Sequence, residues 1–365
     1  MRMIKATAAA CFLLTGLFVV HLWLRHQNAA ATSVPQDTDA AIDSIFSWVR
    51  PGGPGCAVAA SQNGKVVVNR GYGLANLERQ VPITSETAFD VGSVIKQFAA
   101  AAVLLLVEEK RVSLSDDIRK HLPELPDYGH RVTVDHLLTH TGGIGDWLDA
   151  LPLRPGETAL TVTLRRRDLD FPPGEKFAYS NGGYELVKEI VARITGMPFG
   201  DFARRRLFDP LGMTSSAYLA DGVDVPNLAL AYEKAGSDWR QSMMLRGARG
   251  VGALFSTAPD LVIWNDALTR GRLGTFVTQK IQEPARLKSG KPLHYARGLY
   301  LQSTEFGHLV WHGGSAAAYK SAIGRLPERR LSIAVLCNAG EASDDRTKFA
   351  ARILQLLVRG TVARS

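Results

Sequence analysis

Gly92-Ser93-Val94-Ile95-Lys96 leads into Gln97-Phe98-Ala99-Ala100-Ala101-Ala102-Val103-Leu104-Leu105-Leu106-Val107, and the reading of the fold turns on this stretch. From Ala99 to Val107 there is no charge, so the helix expected over Ser93 to Arg111 has no polar face and belongs inside a core. Ser93-Val94-Ile95-Lys96 is also the only Ser-x-x-Lys in the chain. On a helix, residues three apart lie one above the other. The Lys96 amine is therefore placed to take the proton of the Ser93 hydroxyl, which makes a weak nucleophile a usable one. Two further motifs stand downstream, Tyr179-Ser180-Asn181 and His312-Gly313-Gly314.

Outward from that helix, the chain carries strand character at both ends. Ile42, Ile45, Phe46 and Val49 recur at helical spacing between Pro35 and Arg50, and Pro51-Gly52-Gly53-Pro54-Gly55 then breaks the chain. Ala57 to Ser61 and Lys65 to Arg70 read as strands joined at Asn63-Gly64, a hairpin signal. Helices and long loops fill about 113 to 280, with a short helix over Val187 to Thr195 stopped by Gly196 and Pro198. Leu309 to His312, Tyr319 to Leu326 and Leu331 to Cys337 return to strand, and a helix from about Asp345 to Val358 closes the chain. This order predicts one sheet built from the two termini, with a helical region inserted between.

The chain has 365 residues, 46% of them hydrophobic, so a large core is possible. Residues 1 to 31 have the pattern of an export signal: Arg2 and Lys5, a 19-residue apolar stretch from Ala6 to Leu24, then Ala29-Ala30-Ala31. A cleaved signal peptide and a retained membrane anchor are both open, because that stretch is close to bilayer-spanning length. Either way the body, residues 32 to 365, is expected outside the cytoplasmic membrane, in the periplasm or beyond. Removing Arg2, Lys5 and Arg25 from the 43 bases leaves 40 against 35 acids, a mild excess. Arg165-Arg166-Arg167 and Arg204-Arg205-Arg206 lack interleaved aromatics and read as solvated faces, so no nucleic-acid partner is expected. His136 and His140 stand four apart without a third metal ligand nearby, and packing is the preferred reading; no metal or cofactor is expected. Cys56 and Cys337 each sit in an apolar run. Two buried free thiols are the preferred reading, a disulfide the alternative.

The three motifs, in this order, resemble those of the penicillin-recognising serine hydrolases. The branch is that of class C β-lactamases and D-alanyl-D-alanine carboxypeptidases, with their esterase relatives. Val134-Asp135-His136-Leu137-Leu138-Thr139-His140-Thr141-Gly142-Gly143, Pro173-Gly174 and Gly252-Ala253-Leu254-Phe255-Ser256-Thr257 are similar to flanking segments of that group. The resemblance covers roughly 37 to 358. It implies an α+β fold: an antiparallel sheet from about 37–85 and 290–358 flanked by helices, beside a helical part of about 86–289. It also implies that the first strand lies beside the last, so that Cys56 and Cys337 would be neighbours.

The same resemblance implies roles. Ser93 is the nucleophile, Lys96 its base, Tyr179 a second proton carrier, and Asn181 a partner of Lys96 and of the substrate. His312, Gly313 and Gly314 form a wall of the cleft, and the backbone N–H groups of Ser93 and Ser315 form an oxyanion hole. Gly314 is expected to let a substrate backbone come close, and a depressed Lys96 pKa and a stabilised Tyr179 phenolate are expected to carry the protons. β-Lactamases of this branch commonly have Lys-Thr-Gly where this chain has His-Gly-Gly. Histidine can donate a hydrogen bond or carry charge near its usual pKa. The loss of the threonine hydroxyl at Gly313 points away from anionic β-lactams and toward neutral esters or amides. Two other readings stay beside the acyl-enzyme hydrolase: a penicillin-binding carboxypeptidase or lactamase acting on peptidoglycan-derived peptides or drugs, and a catalytically silent binding homologue.

Overall fold

The computed structural model describes residues 38–362 except 152, 155, 220–223 and 243–252; the expected signal or anchor at 1–31 lies outside the described residues. The first element, α1 (Thr38–Ile45), buries Ile42 and Ile45. It precedes a hairpin of β1 (Cys56–Gln62) and β2 (Lys65–Tyr72). Asn63 and Gly64 both turn at positive φ, 52° and 76°, which is the conformation that an Asn-Gly hairpin turn requires. A tight turn at Gly92–Val94 leads into α2 (Ile95–Glu108). The helical region then includes α3 (Asn181–Thr195) and α4 (Ala258–Thr269). The chain returns as β3 (Tyr300–Thr304), β4 (Gly307–Ala316), β5 (Tyr319–Leu326) and β6 (Leu331–Cys337), and ends in α5 (Arg346–Val362).

The strands form one six-stranded sheet in the order β3-β4-β5-β6-β1-β2, every neighbouring pair antiparallel. The sheet is built from both ends of the chain, as the terminal strand patterns predict, and the first strand lies beside the last, as the family resemblance implies. Both strands are apolar except for Ser61, Gln62 and Ser332, because both of their faces are covered. Val58 and Ala60 of β1, with Ile333 and Val335 of β6, pack in one core with Phe46, just after α1, and with Ile353 and Leu354 of α5. Ala57 and Ala59, with Ala334 and Leu336, face the other core, which contains α2. Strand alternation thus feeds two cores from one apolar sequence.

Lys96 through Leu106 are all buried, so α2 is enclosed on every side. Its position fixes Ser93 at the entry to the core. Cys56 stands directly across from Cys337, and the two are joined by a disulfide closing 281 residues. The expectation of free thiols is overturned. The register of β1 on β6 brings the two cysteines opposite each other, which neither local sequence could reveal.

Candidate active site

Ser93 sits in the turn before α2, and Lys96 in the first turn of that helix, so the three-residue spacing does what the sequence predicts. Lys96 Nζ lies 3.1 Å from Ser93 Oγ and donates to Asn181 Oδ1 at 2.8 Å. It also lies 4.7 Å from the Tyr179 ring centre, and the Tyr179 phenol stands beside Ser93. Four groups from two parts of the chain converge on one point. The Lys96 residue is almost entirely buried, at 3% exposure, so its amine has no bulk water to lean on.

Asn181 is held in turn. Asp146 Oδ2 accepts from both the backbone N (3.1 Å) and the side-chain Nδ2 (2.8 Å) of Asn181. A carboxylate only accepts, so it fixes which end of the amide faces it and leaves Oδ1 for Lys96. Asp146 Oδ1 accepts from Leu148 N at 3.1 Å, which fixes the carboxylate. Ser180 caps α3 by accepting from Gly183 N at 3.0 Å, and so places Tyr179 and Asn181 at a helix start.

Tyr179 differs from expectation. Burial pushes its phenol well above the ordinary tyrosine value, with Tyr300 adding to the rise and the Ser93 hydroxyl opposing it. The resting residue is a neutral phenol rather than a phenolate.

The glycines of the third motif also act differently. A Cβ on Gly314 would lie 2.1 Å from Val91 O, 2.3 Å from Ser321 Oγ and 3.1 Å from Ser93 N. One on Gly92, which turns at φ +54°, would lie 2.7 Å from Ser315 N. These two glycines let the backbone of β4 at Gly314 and Ser315 come against the backbone of the Val91–Ser93 turn. The glycine at 314 accommodates protein backbone, not the substrate backbone expected from sequence. A side chain at Gly313 would point to the other face of the sheet, 3.7 Å from Thr347 Cγ2 and 3.9 Å from Arg346 Nη2.

His312 is buried at 2% exposure, so it is not a charged group on the cleft wall. Burial, and secondarily the nearby Lys96, push its pKa down to about 3. Its Nδ1 lies 2.6 Å from Gly313 O, and its Nε2 3.2 Å from the Tyr295 hydroxyl. The same hydroxyl meets His140 Nε2 at 3.2 Å, while His140 Nδ1 accepts from Ser180 N at 3.1 Å. The His136 ring accepts from Thr133 N at 3.2 Å. Both histidines of the loop are thus engaged by the protein itself.

Asp146 and Tyr295 escaped the sequence reading. Asp146 carried a weak signal, an aspartate after Thr141-Gly142-Gly143-Ile144-Gly145 that caps the following turn. Tyr295 carried none, since its partners lie 155 and 17 residues away.

A family model described as Beta-lactamase matches residues 39–357. The chain belongs to the β-lactamase family. It is 28% identical over 297 residues to a D-aminopeptidase from Gluconobacter oxydans (strain 621H), a match covering 78% of this chain and 56% of that protein. A penicillin-binding protein from Bacillus subtilis (strain 168) is 27% identical over 315 residues, covering 79% and 68%. The chain thus spans little more than half of the first relative and about two thirds of the second. Among solved structures, the octameric penicillin-binding protein homologue from Pyrococcus abyssi aligns with a TM-score of 0.73 at 25% identity, covering 95% of this chain and 77% of that one. D-amino acid amidase from Ochrobactrum anthropi SV3, complexed with L-phenylalanine amide, aligns with a TM-score of 0.73 at 25% identity, covering 90% and 100%. These β-lactamase-fold relatives are serine hydrolases, and the antiparallel sheet with its helical partner is their fold.

Proposed function

We propose that this β-lactamase-family chain hydrolyses amides or esters of small D-amino-acid compounds through an acyl-enzyme on Ser93. The observation that carries this reading is the meeting of Lys96 Nζ with Ser93 Oγ and Asn181 Oδ1, beside the Tyr179 phenol. In the reacting state the Lys96 amine keeps one N–H on Asn181 and turns its lone pair to the Ser93 O–H. Ser93 Oγ attacks the carbonyl carbon as its proton passes to Lys96. Charge developing on the carbonyl oxygen faces the Ser93 and Ser315 amides, donors of a kind whose loss typically costs about 10²–10³ in rate. The neutral Tyr179 has a proton to give to the departing amine or alcohol. Water then attacks the ester on Ser93, with Lys96 and Tyr179 accepting and returning protons in reverse.

The choice of substrate rests on the D-aminopeptidase and D-amino acid amidase among the relatives. It also rests on His312, which is held uncharged where lactamases of this branch commonly have a lysine. Without that lysine the site offers less to a substrate carboxylate than to a neutral group. We further propose that the body lies outside the cytoplasmic membrane; the Cys56–Cys337 disulfide supports this, since such bonds persist in oxidising compartments.

A panel of D- and L-amino-acid amides, nitrophenyl esters, D-Ala-D-Ala peptides and a chromogenic cephalosporin tests the reading. D-amino-acid amides or neutral esters should turn over, and Ser93→Ala should remove at least about 10³ of the rate. Preferential turnover of the cephalosporin or the D-Ala-D-Ala peptides would move the assignment to the lactamase or carboxypeptidase side. An alanine variant as active as its parent would end it.

A further inference from the structure

Two buried histidines, one phenol and two backbone groups form an unbroken chain behind the candidate site. It starts at Ser180 N, passes through His140, Tyr295 and His312, and ends at Gly313 O. The protons in this chain can be placed from its ends. Ser180 N–H is a donor, so His140 Nδ1 is bare and a neutral ring carries its proton on Nε2. Gly313 O is an acceptor, so His312 carries its proton on Nδ1 and leaves Nε2 bare. Tyr295 has one proton and accepts through its oxygen. The neighbouring Tyr184 hydroxyl gives its own proton to Leu138 O at 2.7 Å, so with Nε2–H of His140 as donor and bare Nε2 of His312 as acceptor, Tyr295 receives from His140 and donates to His312. A second proton on His312 would direct another N–H at an oxygen that already accepts from His140.

The ends of this chain matter for the chemistry. Ser180 lies between Tyr179 and Asn181 and caps α3. Gly313 lies two residues before Ser315 on β4. One hydroxyl thus links the turn before α3 to β4. Around His312 stand Lys96 from α2, Tyr179 from the turn before α3, and Tyr295 and Tyr300 on the approach to and start of β3, with His140 beyond Tyr295. Lys96 is the cation among them, and no carboxylate is among these contacts of His312.

We propose that Tyr295 is a positioning residue for the Ser93 reaction: its hydroxyl ties the Tyr179-Ser180-Asn181 turn to β4 and holds His312 uncharged beside Lys96. This rests on the serine-hydrolase reading and deepens it. Tyr295 touches neither substrate nor the reacting atoms. It acts by fixing the distance between the turn that carries Tyr179 and Asn181 and the strand that supplies the Ser315 amide. It also keeps a second positive charge away from the amine that must accept a proton.

The test begins without substrate. In the full chain labelled with ¹⁵N-histidine, nitrogen shifts at neutral pH should report His140 as the Nε2–H tautomer and His312 as the Nδ1–H tautomer, both uncharged. Tyr295→Phe keeps the ring, which packs on Tyr300 at 4.8 Å and Phe177 at 5.4 Å, and removes only the hydroxyl. On an ester or amide cleaved by the parent, we expect kcat to fall about tenfold with KM within about twofold, as for the loss of one ordering hydrogen bond. The acid limb of the kcat–pH profile should move to higher pH, because His312 loses the donor that favoured its neutral form. A hydroxyl that served only packing would leave that limb in place. The proposal is overturned if His312 is the Nε2–H tautomer or is charged in the parent. It is equally overturned if Tyr295→Phe keeps the parent's kcat and pH limb. Should the variant fail to fold, the parent tautomers decide alone. An active Ser93→Ala would instead remove the hydrolase reading, and the histidine spectra would be unaffected by that result.

Discussion

Asp146 is the residue whose replacement isolates orientation from chemistry. In Asp146→Asn the group facing Asn181 gains an N–H and loses the certainty of accepting, so the Asn181 amide is free to turn its Nδ2 toward Lys96. Steady-state kinetics should find kcat lowered about tenfold with little change in melting temperature, in line with one displaced hydrogen bond. An unchanged kcat would mean that Asn181 is oriented by something else. The buried histidines make a second prediction. His312, held near 3 against the ordinary 6.5, and His140, also lowered by burial, stay neutral when folded and bind protons when unfolded. Stability from these groups is complete above about 6.5 and is lost as pH falls below it, by up to about 2.7 kcal/mol per pH unit for two protons. Denaturant melts from pH 7 to 5 check this, and a flat profile contradicts it. At this scale the sequence was legible where partners are neighbours. Ser93 and Lys96 are three apart, and the helix does the rest. Asp146 and Tyr295 were illegible because their partners are brought to them by packing.

The strand and the turn, not single side chains, explain why glycine recurs in the third motif. In Gly314→Ala the new carbon would meet Val91 O at 2.1 Å, a backbone atom that can move only by shifting the turn that carries Ser93. We expect at least about a 10²-fold loss of kcat/KM and a destabilisation of about 1–3 kcal/mol, measured by kinetics and thermal melts. Full activity in that variant would show that the β4 contact does not set the site. Elements with uniform character were read well. The apolar run gave α2, Asn63-Gly64 gave the hairpin, and the terminal strands gave the sheet. α3 was read too short, from Val187 rather than Asn181, because Gly182 and Gly183 look like a loop until Ser180 is recognised as their cap. β4 was read as ending at His312, whereas it runs to Ala316. Glycines that weaken a strand in isolation are here the condition for its packing.

At the scale of the whole molecule, the sheet joins the two ends of the chain, and the disulfide between β1 and β6 fastens that join. Because Cys56 and Cys337 sit on the face opposite α2, reducing them should lower stability by about 2–5 kcal/mol while leaving turnover near the parent's at temperatures where the protein stays folded. Melting with and without reductant, beside an activity assay, measures both. Loss of turnover in the folded reduced protein would couple this bond to the site. The fold was legible as strands, helices and strands again, but the nearness of Cys56 and Cys337 came only from the family resemblance, since their bonding depends on the register of β1 on β6. The same assembly surrounds Ser93 with a lysine from the helix it precedes, a turn from the helical region and the Ser315 backbone of the sheet. The most direct measurement is the intact mass of the protein after brief exposure to a slowly hydrolysed D-amino-acyl ester, followed by peptide mapping. One acyl group on the peptide containing Ser93, absent from Ser93→Ala, is the predicted result. Turnover with no acyl-enzyme, or with the label on another residue, would contradict it.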